Sequence, residues 1–314
     1  MDRPDHNLLE QVDARTKLAG SNKMEILLFS LGTHELFGIN VFKVREVSRT
    51  PTVTPTPNMP GGVEGLISLR GNVIPVLSLA RIMNLDGAPE GMGGAMMVTE
   101  YSKRTLGFLV HEVDRIIRVD WDRVRAPESV VTSEQLYITA ITELDDGRLV
   151  SILDVESILA GTFGDTVIGE IPPLGGNYDP NVFFVDDSAV ARKKIAEVLD
   201  RLSIKHKHAT NGAEAWSRLQ GMAAHSSATG APLTDEIDLI LVDAEMPEMD
   251  GYVLTRNIKN DPRFADIPVV MHSSLSSEAN RAMGKSVGVD AYVAKFDAEV
   301  LADTLRPLLA THKA

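Results

Sequence analysis

The apolar positions of the chain change their spacing near residue 160. From 24 to 153 they come in short runs, at 26–31, 36–39, 66–69, 73–79, 95–99, 105–110, 137–143 and 149–153. Turn-forming residues separate most of these runs: Gly32-Thr33, 57–62, Arg70-Gly71-Asn72, 87–94 and Asp145-Asp146-Gly147. Short strands joined by close turns predict antiparallel barrels or a sandwich, and the Asp-Gly step is of the type that closes a hairpin. The apolar spacing of 41–47 suits a short helix instead. Ahead of the strands, Leu8, Leu9, Val12 and Leu18 lie at helical spacing among polar residues, which predicts an amphipathic helix over 7–19 stopped by Gly20-Ser21-Asn22. Its apolar face must pack on its own domain or dock elsewhere.

Between 161 and 180 the periodicity vanishes into Gly164, Gly169, Pro172-Pro173, Gly175-Gly176 and Pro180, the composition of a linker. Beyond it, strand-like and helix-like segments alternate: strands over 182–185, 205–208, 237–242, 269–271 and 291–294, and helices over 189–202, 212–222, 251–259, 277–287 and 298–309. Asn211 and Glu214 have the spacing of a capping box at the start of the second helix, and 225–235 reads as a polar loop. This alternation predicts a parallel, doubly wound sheet in the flavodoxin-like order. The domains expected are thus an N-terminal helix over 1–22, an all-β domain over 23–163, a linker over 164–180 and an α/β domain over 181–314.

Composition narrows the functions. A chain of 314 residues with 44% hydrophobic and 24% charged residues has the balance of folded domains rather than of a disordered chain. It contains no cysteine, so disulfides, thiolate zinc sites and cysteine nucleophiles are excluded. The net charge of -13 is spread over both parts, with 16 basic against 24 acidic residues up to Gly175 and 15 against 20 from Gly176. With no basic patch, binding to nucleic-acid phosphates is not expected. No apolar run approaches the ~20 residues of a spanning helix. Residues 1–7 do not read as a signal peptide. The expected location is cytoplasmic, with any membrane association made through a partner.

Ligands of an open parallel sheet sit outside the carboxyl ends of its strands, where the winding direction switches. Asp186 and Asp187 end the first strand of the α/β domain and Asp243 ends the third, which would be its neighbour. Three carboxylates so placed repel one another. An oxygen-only donor set without histidine or cysteine favours Mg2+ as their counter-charge. Ser273 at the end of the fourth strand and Lys295 after the fifth bring a hydroxyl and an ammonium to the same edge. The set suits a carboxylate that takes a phosphoryl group, with lysine, hydroxyl and metal neutralising the transferred oxygens.

Phe184-Val185-Asp186-Asp187-Ser188, the run from Leu241 to Gly251 that contains Asp243, Met246-Pro247 and Asp250, and Ser273 and Lys295 resemble the response-regulator receiver family. The resemblance covers 181–309. It implies that Asp243 is the phosphoacceptor, that Asp187 and Asp243 hold the metal with the Glu245 main-chain carbonyl, and that Asp186 supports it through water. It further implies that Ser273 moves toward the phosphoryl group and that Tyr292 changes rotamer in response. Where the family usually has proline after the lysine, this chain has Phe296, so a trans connection is expected there. Glu245 and Leu275 border the approach of a hydrolytic water, and an acid and an apolar residue there predict a long-lived phosphorylated state.

The first domain offers no comparable pocket. His34 and His111 stand alone, and its glycines fit turns rather than a phosphate loop. Leu27 to Leu31, Phe37-Gly38-Ile39, Val44-Arg45-Glu46-Val47 and the run from Gly65 to Leu77 resemble the CheW family, more weakly as far as Leu159. That resemblance implies a double β-barrel of paired five-stranded halves without catalytic activity, joining methyl-accepting chemoreceptors to the histidine kinase CheA in membrane-associated arrays. Val44, Glu46, Gly65 and Arg70 match positions implicated in such contacts. Together the two parts imply a non-enzymatic chemotaxis adaptor tuned by phosphorylation of Asp243. The alternatives are a phosphate sink for CheA, or a response regulator acting on a different target.

Overall fold

The computed structural model describes residues 23–86, 94–101, 104–125, 137–164, 168–175, 179–274, 278–295 and 297–311. The helix expected over 7–19, and Leu275 and Phe296, lie outside them. The chain divides into two units, Met1–Asp165 and Thr166–Ala314.

The strands of the first unit are β1 (Lys23–Ser30), β2 (Leu36–Asn40), β3 (Val44–Arg49), β4 (Val63–Leu69), β5 (Asn72–Ser78), β6 (Ala95–Tyr101), β7 (Arg104–Val110), β8 (Glu112–Asp120), β9 (Ile138–Glu143) and β10 (Leu149–Leu153), and its helices are α1 (Leu79–Ile82) and α2 (Val155–Phe163). They form two five-stranded sheets, ordered β8-β1-β2-β10-β9 and β3-β6-β7-β5-β4. Each is antiparallel apart from one parallel pairing, β2 with β10 and β5 with β7. Phe29 and Phe37 sit opposite each other in the β1–β2 register and stack at 6.0 Å, a cross-strand aromatic pair that fixes this alignment. The Asp145-Asp146-Gly147 turn closes the β9–β10 hairpin, with Gly147 at φ 83°. The helix expected over 41–47 is a single 3-10 turn, Val41–Lys43, which Asn40 caps by accepting from the Phe42 amide, and β3 then follows. Its Val and Arg side chains gain more from pairing with β6 than from a second helical turn.

The second unit alternates β11 (Asn181–Val185), α3 (Ala189–Arg201), β12 (Lys205–Ala209), α4 (Gly212–Thr229), β13 (Leu239–Asp243), α5 (Gly251–Asn260), β14 (Val269–Ser273), α6 (Glu278–Val287), β15 (Ala291–Ala294) and α7 (Ala298–Thr311). All pairings are parallel and the order is β12-β11-β13-β14-β15. The three central strands β11, β13 and β14 are buried on both faces and read as continuous apolar runs, whereas the edge strand β12, Lys-His-Lys-His-Ala, is largely exposed. One core, with Phe184, Leu241, Val270 and Val293, lies under α3 and α7, and the other, with Phe183, Val242, Leu254 and Phe264, under α4 and α5. The expected cap is present in a variant form: Asn211 accepts from the Glu214 amide at 2.7 Å, while Glu214 reaches back one residue further, to the Thr210 amide at 2.8 Å. In place of the polar loop expected from 225, α4 runs on to Thr229, and Gly230 in the left-handed region ends it. Ser227 and Thr229 donate back to the carbonyls of Ala223 and His225, so their hydroxyls are satisfied on the helix instead of forming a turn.

Part of the stretch read as a linker belongs by packing to this unit. Ile171 is buried in the core under α3 and α7, with Ile168 and Leu174 against the same cluster. The Leu174 amide donates to Leu202 O at 3.0 Å, Arg201 to Gly169 O at 2.6 Å, and Arg306 to the carbonyls of Pro172 and Pro173.

Candidate functional site

The strand ends of the second unit bring the predicted charges together. Asp243 is the last residue of β13, and Asp186 follows β11, its neighbour in the sheet. Both carboxylates are buried, as is Lys295. The Lys295 ammonium lies 2.8 Å from Asp186 Oδ2 and 2.8 Å from Asp243 Oδ2, bridging the two. Its backbone amide donates to Ser273 O at 2.8 Å, which ties the lysine to the end of β14. Two carboxylates and one ammonium buried together carry an excess negative charge, which fits a further cation.

Local chemistry holds the acids in place. Asp186 Oδ1 accepts from the Ser188 amide at 2.9 Å, and the Ser188 hydroxyl caps α3. Arg192, one turn into that helix, donates to the carbonyls of Asp186 and Asp187 at 2.9 Å each, fixing the backbone that carries both acids. A carboxylate oxygen of Asp186 and one of Asp187 lie within 4.8 Å of each other, a separation two ligands of one small cation can share. Asp187 and Glu245 are only partly buried, so the oxygen-rich side of the site is reachable from solvent. Asp250 caps α5 by accepting from the Val253 amide at 2.7 Å, and burial raises its pKa against the pull of that bond. A Cβ on Gly251 would lie 1.9 Å from Asp243 O, so only glycine lets α5 begin so close to the end of β13.

Ser273 is fully buried at the end of β14. Its hydroxyl faces Tyr292, and Tyr292 packs against Tyr252 in one cluster with Ala244, Met271 and Val287. Burial raises the pKa of both phenols, and the Glu245 charge raises each further, so both remain protonated at neutral pH and can donate. Arg281 stacks over the Tyr292 ring at 5.4 Å. Tyr252 and Arg192 were not singled out in the sequence. Nothing in the spacing marks Tyr252, whereas Arg192 falls one turn from the cap of α3, a position a helical-wheel reading could have flagged.

The residues singled out in the first unit lie apart from one another in exposure. Val44 and Gly65 are buried. Gly65 has φ 149° and its Cβ would lie 2.2 Å from Thr54 O, so packing alone requires glycine there. Glu46 is partly buried and forms an ion pair with Arg70, whose side chain is 79% exposed. Arg70 and Gly71 are the two loop residues of the β4–β5 hairpin, at φ 50° and 84°, as a type I′ turn demands.

A buried acidic strand end with a bridging lysine, on a parallel sheet preceded by two five-stranded sheets, defines a CheW-like domain joined to a response-regulator receiver. Residues 25–163 match the CheW-like domain family, and 182–306 the response regulator receiver domain family. Chemotaxis protein CheV3 of Helicobacter pylori is 32% identical over 284 residues, 87% of this chain and 88% of that protein. CheV1 of the same organism is 30% identical over 311 residues, 91% of this chain and 94% of that protein. The crystal structure of scaffolding protein TtCheW from Thermoanaerobacter tengcongensis is 28% identical and covers 42% of this chain and 84% of its own, with a TM-score of 0.39. The chain belongs to the CheV family of chemotaxis proteins.

Proposed function

We propose that this protein is a chemotaxis adaptor that couples chemoreceptors to the histidine kinase CheA through its first unit, and that a phosphoryl group taken by Asp243 tunes that coupling. It is a phosphoacceptor rather than an enzyme acting on a separate substrate. The reading follows from the family and is carried by one observation, the Lys295 ammonium held 2.8 Å from both Asp186 and Asp243. Among the described residues no helix is long and apolar enough to cross a membrane, and contact with a membrane would come through the receptors.

The chemistry is an in-line phosphoryl transfer. A carboxylate oxygen of Asp243 forms the new O–P bond as the N–P bond of a phosphohistidine donor breaks, and the electron pair leaves with the imidazole, which is then protonated. Asp243 has no proton to lose, and Lys295 already holds it ionised and oriented. Lys295 then neutralises the transferred oxygens, and the buried Ser273 hydroxyl supplies a hydrogen bond to them once it turns from Tyr292. Asp187, Asp243 and the Glu245 carbonyl would hold Mg2+, with Asp186 supporting it through water; bound there, the ion adds a second cation against the phosphoryl oxygens.

In the first unit the surface around Arg70 and Glu46 is the proposed contact with receptor or kinase, with Val44 and Gly65 shaping it from beneath. A guanidinium on a rigid hairpin is suited to bidentate pairing with a partner carboxylate. The boundaries proposed are 23–163 for this domain, 164–180 for the connection and 181–314 for the receiver, after an N-terminal helix over 1–22.

The test is incubation with phosphorylated CheA and Mg2+. Wild type takes the label, Asp243→Ala does not, and chelation of the metal suppresses transfer. Label on Asp243→Ala at the wild-type level, or none on wild type, overturns the assignment. Transfer that proceeds while receptor-coupled kinase activity stays indifferent to it would leave a phosphate sink.

A further inference from the structure

We propose that residues 168–174 form a strap whose docking in the groove between α3 and α7 is loosened at one end by phosphorylation, so that the receiver communicates through its own leading segment. The inference rests on the assignment of Asp243 as phosphoacceptor. The strap has two unlike ends. At one, Ile171 is buried, the Leu174 amide is bonded to Leu202 O, and Arg306 donates to the carbonyls of Pro172 and Pro173. At the other, Ile168 and Gly169 border a cavity of about 200 Å³. Its opposite walls are Asp297, Ala298 and Glu299 at the start of α7, with Ile195 and Val198 of α3 and the buried His272 completing it. Gly169 is held there by the Arg201 bond to its carbonyl.

That opposite wall is joined to the acceptor site by two links. Lys295, which bridges Asp186 and Asp243, lies two residues before Asp297, and Asp297 carries the first turn of α7 by accepting from the amides of Val300 and Leu301. The Lys295 amide is also bonded to Ser273 O, so a shift of Ser273 toward a phosphoryl group acts on the same backbone. Transfer to Asp243 adds oxygens that draw the ammonium from its seat between the two carboxylates. The start of α7 then follows the lysine toward the site and away from Ile168 and Gly169. Packed interiors resist such displacement, and the cavity marks where packing between 168–169 and the start of α7 is least dense. The 171–174 end stays fixed. Release of 168–170 lengthens the free chain between the receiver and the first unit, which changes how the two are tethered without unfolding either.

The absence of cysteine makes the test direct, because one introduced thiol is the only one in the chain. Full-length Ile168→Cys and, separately, Leu174→Cys are reacted with a maleimide, with and without acetyl phosphate and Mg2+, and intact mass reports phosphorylation in the same sample. Phosphorylation should speed labelling at 168 about fivefold or more, the size of a modest local-opening shift, and leave 174 unchanged. Asp243→Ala should abolish the response. Hydrogen exchange of the unsubstituted protein across 168–174 gives the same comparison should either substitution disturb the fold. Phosphorylated protein with unchanged labelling at 168, or with both ends released together, overturns the strap proposal and leaves the acceptor assignment standing. Absence of phosphorylation overturns the acceptor assignment, and the strap proposal with it.

Discussion

The two units place their charges in opposite ways. In the receiver, Asp186, Asp243 and Lys295 are all buried at one sheet edge, where an ion pair contributes little net stability but breaking it is costly. In the CheW-like unit, the exposed Arg70 reaches the partly buried Glu46, and a pair with one partner in water is worth ~0–1 kcal/mol. The difference can be tested one residue at a time.

The largest effect belongs to the buried ammonium. Lys295→Met leaves Asp186 and Asp243 without it, and metal-free unfolding in urea should show a loss of about 3–5 kcal/mol. Next is Gly251→Ala, whose methyl meets Asp243 O; overpacking of this kind costs ~1–3 kcal/mol or more, and it should also slow phosphoryl uptake by displacing the acceptor. Gly71→Ala is its counterpart in the first unit, where a Cβ meets nothing and only the positive φ resists, so about 1 kcal/mol is expected. Arg70→Glu should change stability by no more than ~1 kcal/mol, while incorporation into receptor–kinase assemblies falls. A large loss of stability in Arg70→Glu, or a small one in Lys295→Met, would break the contrast.

The smallest effect is a dependence on pH. Burial, with the charges of Arg192 and Arg218, lowers the pKa of His208 below 6.5. The folded state therefore binds a proton less readily than the unfolded one. This contribution to stability is present above 6.5 and is lost as pH falls through the lowered value. His208→Gln should narrow the drop in Tm between pH 7.5 and the acid side of that range, leaving the label on Asp243 intact.

Legibility in the sequence followed burial. The receiver's central strands β11, β13 and β14 are buried on both faces and two of them run into acids, so the alternation and the grouping of Asp186, Asp243 and Lys295 could be read directly. In the first unit the strands overlooked were β3 and β8, both at the edge of their sheets. β8 carries Glu112, Asp114, Arg115 and Arg118 and its burial does not alternate, so it lacks the pattern that marked the edge strand β4. The end of α4 was read as a loop because 225–229 is polar and carries no apolar spacing. Tyr252 was missed for a related reason: its role exists only through Tyr292 and Ser273, which are distant in sequence and meet in the folded sheet.

The most direct measurement is receptor-coupled kinase activity in assemblies reconstituted from chemoreceptor, CheA and this protein, with wild type compared against Asp243→Ala. If phosphorylation of Asp243 tunes coupling, the two proteins support the same activity before phosphoryl transfer begins, and wild type alone departs from that level as label accumulates on it. Identical time courses, with wild type demonstrably phosphorylated, would contradict that role.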